Sequence, residues 1–301
     1  VFLVVLKKRF AMQTFFVQPL MSLFIIPEPK YGKQYTMKIY ISADIEGVTG
    51  VTHWDEADRL KSDYAEFREQ MTAEVSAACE GALQAGATDI WVKDAHASGR
   101  NLIGFKLPKQ VHLIRGWSGH PFSMVQELDE SFHAMLMVGY HSRAGSSANP
   151  LAHTISGNVA SLKINGSYVS ELRISAYTAA YVNVPLVFVS GDEGICGEAA
   201  GLIPQVATLA VKRGVGEASV NIHPHLAVEK IIQGVQSALQ NDVSKCRLPL
   251  PQQFVVEITY REHPVAQRAS FFPGAVLKPP STIEFKTDDY FEVLRLFAFV
   301  L

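Results

Sequence analysis

The stretch MKIYISADIEG, residues 37–47, decides how this chain is read. Lys38 to Ala43 is a short run rich in strand formers, and it exits into DIEGVTG, residues 44–50. Asp44 and Glu46 stand two residues apart, a spacing that points both carboxylates to one side of an extended backbone. Carboxylates crowded in this way repel, and one is driven to take up a proton unless positive charge lies beside them. A divalent cation removes the conflict.

Strand and helix alternate outward from that point. Residues from Asp63 to Ala85 carry apolar side chains at helical spacing, with Gly86 as a stop. Ile90 to Lys93 is a second strand leading into DAHASGRN, and Val111 to Arg115 is a short third. Ala134 to Gly139 is a fourth, leading into YHSRAG. Leu162–Ile164 and Ser167–Val169 flank Asn165-Gly166, the signal of a tight hairpin, and Glu171 opens the helix ELRISAYTAAYV. Pro185 to Ser190 is a fifth core strand, and GDEG turns the chain into the helix EAAGLIP. Pro224 to Gln240 reads as a helix, Phe254 to Tyr260 as a strand and Tyr290 to Leu301 as a last helix. Such apolar runs suit strands covered on both faces, so the expected fold is α/β, a mainly parallel sheet flanked by helices, with a smaller C-terminal α+β segment.

Of the 301 residues, 48% are hydrophobic and 19% charged, with 27 basic against 29 acidic side chains. That apolar fraction excludes an extended disordered chain, and the near-neutral balance, with no basic run, argues against a nucleic-acid partner. Three scattered cysteines, Cys79, Cys196 and Cys246, make no disulfide framework, so the default compartment is reducing and the expected location cytoplasmic. No run of 18 apolar residues suggests a membrane span. Residues 1–36 are greasy but broken by Lys7, Lys8, Arg9 and Pro19. They read as an extension outside the fold, ahead of a start at Met37, with a signal or anchor as the alternative. The remainder divides into a catalytic α/β domain over residues 37–210 and a smaller segment over 211–301.

Three strand exits carry metal-ligand types: Asp44 and Glu46, then His96, then His141. In an open parallel sheet ligands bind beyond the carboxyl ends of the strands, so these exits can converge. Imidazole nitrogen and carboxylate oxygen together suit zinc. Any one of these residues could equally cap a helix or brace a turn, as could Asp94. Glu171 is either a favourable charge in a helix's first turn or a further carboxylate for the metal. His153, in LAHTISG, is either an acid–base or orienting group or an exposed loop residue. His223-Pro224-His225 reads as a helix cap, Asp192 as another, and Cys196 has no basic partner to make it a nucleophile.

SADIEGVTG, VKDAHASG, VGYHSRAG, LAHTISG and SELRISAY, in this order and spacing, resemble the D-aminopeptidases of the DppA type, dinuclear zinc peptidases. The resemblance implies two zinc ions per subunit, bound by Asp44 (bridging), Glu46, His96, His141 and Glu171. It gives His153 an active-site role, often described as nucleophilic. It also implies hydrolysis of short peptides with an N-terminal D-amino acid of the D-Ala type, for which two zinc ions would supply a metal-activated hydroxide. A homo-oligomer, a ring-built decamer, is the assembly it implies. Two other classes use similar residues: a two-metal phosphoesterase, with Lys93 and Arg143 as the near phosphate-holding candidates, and a non-catalytic α/β binding protein.

Overall fold

The computed structural model describes residues 36–301; the leader expected to stand apart lies outside the described residues but for Thr36. Twelve strands follow in chain order. The first four are β1 (Lys38–Ala43), β2 (Asp89–Asp94), β3 (Val111–Ile114) and β4 (Ala134–Tyr140). Next come β5 (Val159–Ile164), β6 (Ser167–Tyr168), β7 (Leu186–Asp192) and β8 (Ala207–Val215). The last are β9 (Ala218–Asn221), β10 (Phe254–Tyr260), β11 (Val276–Lys278) and β12 (Thr282–Thr287). The helices are α1 (Trp54–Ala57), α2 (Tyr64–Gln84), α3 (Glu171–Tyr181), α4 (Glu193–Leu202), α5 (Pro224–Gln240), α6 (His263–Ala269) and α7 (Tyr290–Val300).

A seven-stranded sheet runs in the order β3-β2-β1-β4-β7-β8-β9, parallel except where β9 folds back on β8. The α/β expectation holds. β4 and β7 are buried along their whole length, as their unbroken apolar runs require. β2 and β4 flank β1, and Ala43 is level with both Asp94 and Val138. The three carboxyl ends therefore open onto one place. Strand order reverses direction between β1 and β4, the switch point at which open sheets of this kind leave a crevice.

The second sheet, β11-β12-β10-β5-β6, is antiparallel. It takes β5 and β6 from within residues 37–210, while residue 210 itself falls inside β8. The spatial division therefore does not follow a cut in the chain. Helix α3 links the two cores: Leu172, Ala176 and Ala179 pack against the first sheet, and Ile174 and Tyr177 join the cluster on the second. Its first residue, Glu171, is thereby held between the two layers. Elements not anticipated from the residues are short or partly exposed: α1, α6 with Pro264 in its first turn, the β8–β9 hairpin, whose residues are mostly exposed, and the strands β11 and β12.

The loop after β1 presses against β4. Gly47 donates its N–H to the Gly139 carbonyl at 2.8 Å, and a Cβ at Gly47 would drive into the Tyr140 carbonyl oxygen. Gly139 has φ 72°, and a Cβ there would clash with the carbonyl of Asp44. The glycines of D-x-E-G and V-G-Y-H are thus where two backbones touch. Gly47→Ala is expected to cost about 1–3 kcal/mol in urea unfolding, the usual range for overpacking. An unchanged midpoint would contradict this close approach.

Candidate metal centre

Asp44 and Glu46 follow β1, His96 follows β2, His141 follows β4 and Glu171 opens α3, where Ser170 caps the helix by accepting from the Arg173 N–H. All five side chains are buried. His96 Nδ1 lies 3.4 Å from Asp44 Oδ1 and 3.1 Å from Glu46 Oε1. His141 Nε2 lies 3.6 Å from Asp44 Oδ2 and 3.3 Å from Glu171 Oε2, without a hydrogen bond to either. His153, on the loop between β4 and β5, stacks on His141 with ring centroids 4.3 Å apart, and its Nε2 is 3.6 Å from Glu171 Oε1. The structure brings all six sequence candidates into one cage.

Backbone contacts set the imidazole tautomers. His96 Nε2 meets the Ala57 carbonyl at 2.8 Å, His141 Nδ1 the Ser142 carbonyl at 2.9 Å, and His153 Nδ1 the Leu151 carbonyl at 2.9 Å. A carbonyl only accepts, so each of these nitrogens carries the proton. In each neutral ring the other nitrogen then turns a lone pair toward carboxylate oxygens. Lone pair against lone pair in a buried site is unfavourable unless positive charge lies between them.

The proton affinities express the same need. Burial and the neighbouring Glu46 carboxylate push Asp44 well above the usual carboxylate range. Burial would raise Glu46 too, but His96, joined by His141 and His153, takes Glu46 well below. Burial opposes a charged His141, yet Glu171, Glu46 and Asp44 hold its pKa up to about 10, and His96 is raised for the same reason by Glu46 and Asp44. Glu46 Oε2 and His141 Nε2 are buried without any hydrogen-bond partner among the described residues. Asp44, Glu46 and His96 present donor atoms within 4.8 Å of one another, as do Asp44, His141 and Glu171, and as do Glu46, His141 and His153. Carboxylate oxygens and imidazole lone pairs so gathered, with partnerless atoms among them, fit a divalent metal and suit zinc in particular.

The cage floors a cleft of about 510 Å³ walled by Trp54, Trp117, Met124 and Ile155. Ala97, Ser123 and Ile155 on its wall all have positive φ, at 44°, 47° and 60°. For a β-branched residue such as Ile155 that is a strained backbone, and strain of this kind gathers at functional sites. Ile155 spends it on a contact, donating its N–H to Glu171 Oε1 at 2.6 Å.

Comparison with known proteins gives the family. A family model described as D-aminopeptidase, peptidase family M55, matches residues 37–299. The chain belongs to the D-aminopeptidase family. A D-aminopeptidase of Bacillus subtilis (strain 168) is 34% identical over 261 residues, covering 86% of this chain and 94% of that relative. The solved structure of the Zn-dependent D-aminopeptidase DppA from Bacillus subtilis, a self-compartmentalizing protease, superposes with a TM-score of 0.82 at 33% identity. That match covers 87% of this chain and 95% of the other.

This member of the D-aminopeptidase family also backs its cage with buried polar groups that sequence reasoning missed. Asp192 does cap α4, accepting from Ile195 N–H at 2.8 Å, but it also accepts from the N–H and hydroxyl of Ser142 and from Asn149 Nδ2. Asn149 Nδ2 also donates to the Glu46 carbonyl at 3.0 Å, an oxygen that Lys212 Nζ reaches from β8. Lys212 donates to Val51 O as well, at 2.5 Å. One network therefore ties the backbone of Glu46 to the residue that orients His141. A lone Asn in a loop and a Lys in a strand give no sequence signal for such a role. Asp94 accepts from Asn101 and Leu102 and so braces the loop that carries His96. His223 caps α5, as read from the sequence. Asp192→Ala is expected to destabilise the fold by roughly 3–5 kcal/mol, the cost of breaking a buried charged network. The folded fraction should also bind zinc about ten- to a hundredfold more weakly. Wild-type zinc affinity in the folded variant would restrict Asp192 to stability alone.

Proposed function

We propose that this chain is a zinc-dependent aminopeptidase that removes N-terminal D-amino acids, D-Ala among them, from short peptides. The observation that carries the reading is the pair of buried donor groups that share Asp44. Asp44 would bridge two zinc ions, with Glu46 and His96 on one and His141 and Glu171 on the other. Bound zinc supplies Lewis-acid polarisation of the scissile carbonyl and makes water nucleophilic near neutral pH. The preference for D-residues is taken from the family.

The chain's own residues do the rest. Ala57, Ser142 and Leu151 carbonyls hold the three imidazoles in one tautomer. His153, with Nδ1 occupied, takes a proton at Nε2 from the attacking water and returns it to the leaving amine. Proton transfer is preferred here to nucleophilic attack by the ring, since hydrolysis by activated water needs no covalent intermediate.

The phosphoesterase alternative loses its phosphate-holding side chains. Lys93 is buried, donating to the Asp94 and Gly116 carbonyls and lying 3.8 Å from the Trp117 ring centroid. Arg143 donates to the Ala144 carbonyl and stacks on Tyr168. Neither lines the cleft.

The self-compartmentalizing habit of the Bacillus relative supports a homo-oligomer here, with a ring-built decamer as the specific proposal. Three buried, free cysteines fit a reducing, cytoplasmic location. Among the described residues no helix is long and apolar enough to cross a membrane.

Hydrolysis of D-Ala-p-nitroanilide should stop on chelation and return with zinc, while p-nitrophenyl phosphate stays intact. Turnover of the phosphate ester instead would overturn the reading. His153→Ala should lower kcat by roughly 10²- to 10⁴-fold with zinc content unchanged, the usual loss for an acid–base group. Loss of zinc together with activity would make His153 a ligand. Asp44→Ala should strip metal, and full retention would reject its bridging place.

A further inference from the structure

The cleft does not end at the cage. A second cavity of about 700 Å³ shares Trp54, His96 and Ala97 with the first, and it opens between the α1 region and the loop after β2. Charge is distributed unevenly between the two lobes. Among the described residues the first is lined by Asp44, Glu46 and Glu171 and by no Lys or Arg. The second is lined by Arg59 and Arg100, both exposed. Two acids share that second lobe and are engaged locally: Asp55 with Lys61 at 3.2 Å, and Asp58 with the Leu60 N–H at 2.9 Å. Neither arginine makes an ion pair among the described residues, so both line the cavity without a fixed acidic partner.

We propose that Arg59 and Arg100 form a subsite for the C-terminal carboxylate of a short peptide. The inference rests on the aminopeptidase reading and adds the substrate class: zwitterionic di- and tripeptides, read at both ends. The N-terminal residue, whose peptide bond is cut, lies at the cage, and the carboxylate extends away from it, past Trp54 and Ala97. A guanidinium is planar and offers paired N–H donors, the geometry a carboxylate accepts in bidentate fashion. Two extended residues span about 7 Å, and the two lobes adjoin through Trp54, His96 and Ala97, so the proposal places the two termini of a dipeptide in adjoining lobes. A peptide of more than three residues carries its carboxylate beyond the arginines and loses the contact.

The test compares D-Ala-D-Ala with its C-terminal amide, reading the ratio of the two kcat/KM values within each protein so that any general loss of activity cancels. Wild-type enzyme should favour the free acid by roughly five- to tenfold or more, the scale of one or two partly exposed charge-assisted contacts. Arg59→Ala and Arg100→Ala should each move the ratio toward one, mainly through KM, and the double variant should reach it. Arg59→Lys and Arg100→Lys should keep part of the preference. Equal rates for acid and amide in the wild type would overturn the subsite, as would a preference that survives the double variant. Zinc-dependent cleavage of D-Ala-p-nitroanilide, which has no carboxylate, tests the underlying reading separately. If the anilide is cleaved and acid and amide are equal, only the subsite fails.

Discussion

Everything in this structure is arranged around a repulsion. Three carboxylates and three imidazole lone pairs meet in a buried cage where no water-like dielectric softens their contact. Isolated buried charge is costly enough that groups normally neutralise themselves or find partners. Here protons serve one set of groups and leave others unsatisfied, as Glu46 Oε2 and His141 Nε2 show. A divalent cation satisfies all of them together, and metal binding then becomes part of what stabilises the fold.

The scaffold spends much of its precision on resisting that repulsion. β2, β1 and β4 stand side by side so that their exits converge, and glycines at 47 and 139 let two backbones come into contact there. Carbonyls of Ala57, Ser142 and Leu151 hold the rings in orientation. Behind the cage Asp192, Asn149 and Lys212 anchor the strand exits to β7 and β8. In front, Ile155 keeps a strained backbone whose N–H is aimed at Glu171. Groups of this second rank commonly matter nearly as much to a metal site as the ligands themselves.

The parts of this design that could be read from the residues were those with a short period or a clustered chemistry. Apolar runs marked the strands, Asn165-Gly166 marked the hairpin, and acids and histidines at successive strand exits marked the cage. The pairing of β5 with β10 could not be read, because an antiparallel partner more than 90 residues away leaves no local trace. Nor could the place of residue 210 inside β8, since the sheet it joins is defined by distant strands. His153 is ambiguous as a loop histidine, and its stacking on His141 and approach to Glu171 are what join it to the cage. Asp192 looked like a helix cap and is one. Its other three donors come from the segment between β4 and β5, which is far along the chain.

Anomalous diffraction from zinc-loaded crystals, recorded on both sides of the zinc absorption edge, tests the cage most directly. The account predicts two zinc peaks per chain with Asp44 between them, one completed by Glu46 and His96 and the other by His141 and Glu171. A single peak, or zinc bound away from these five side chains, would contradict it.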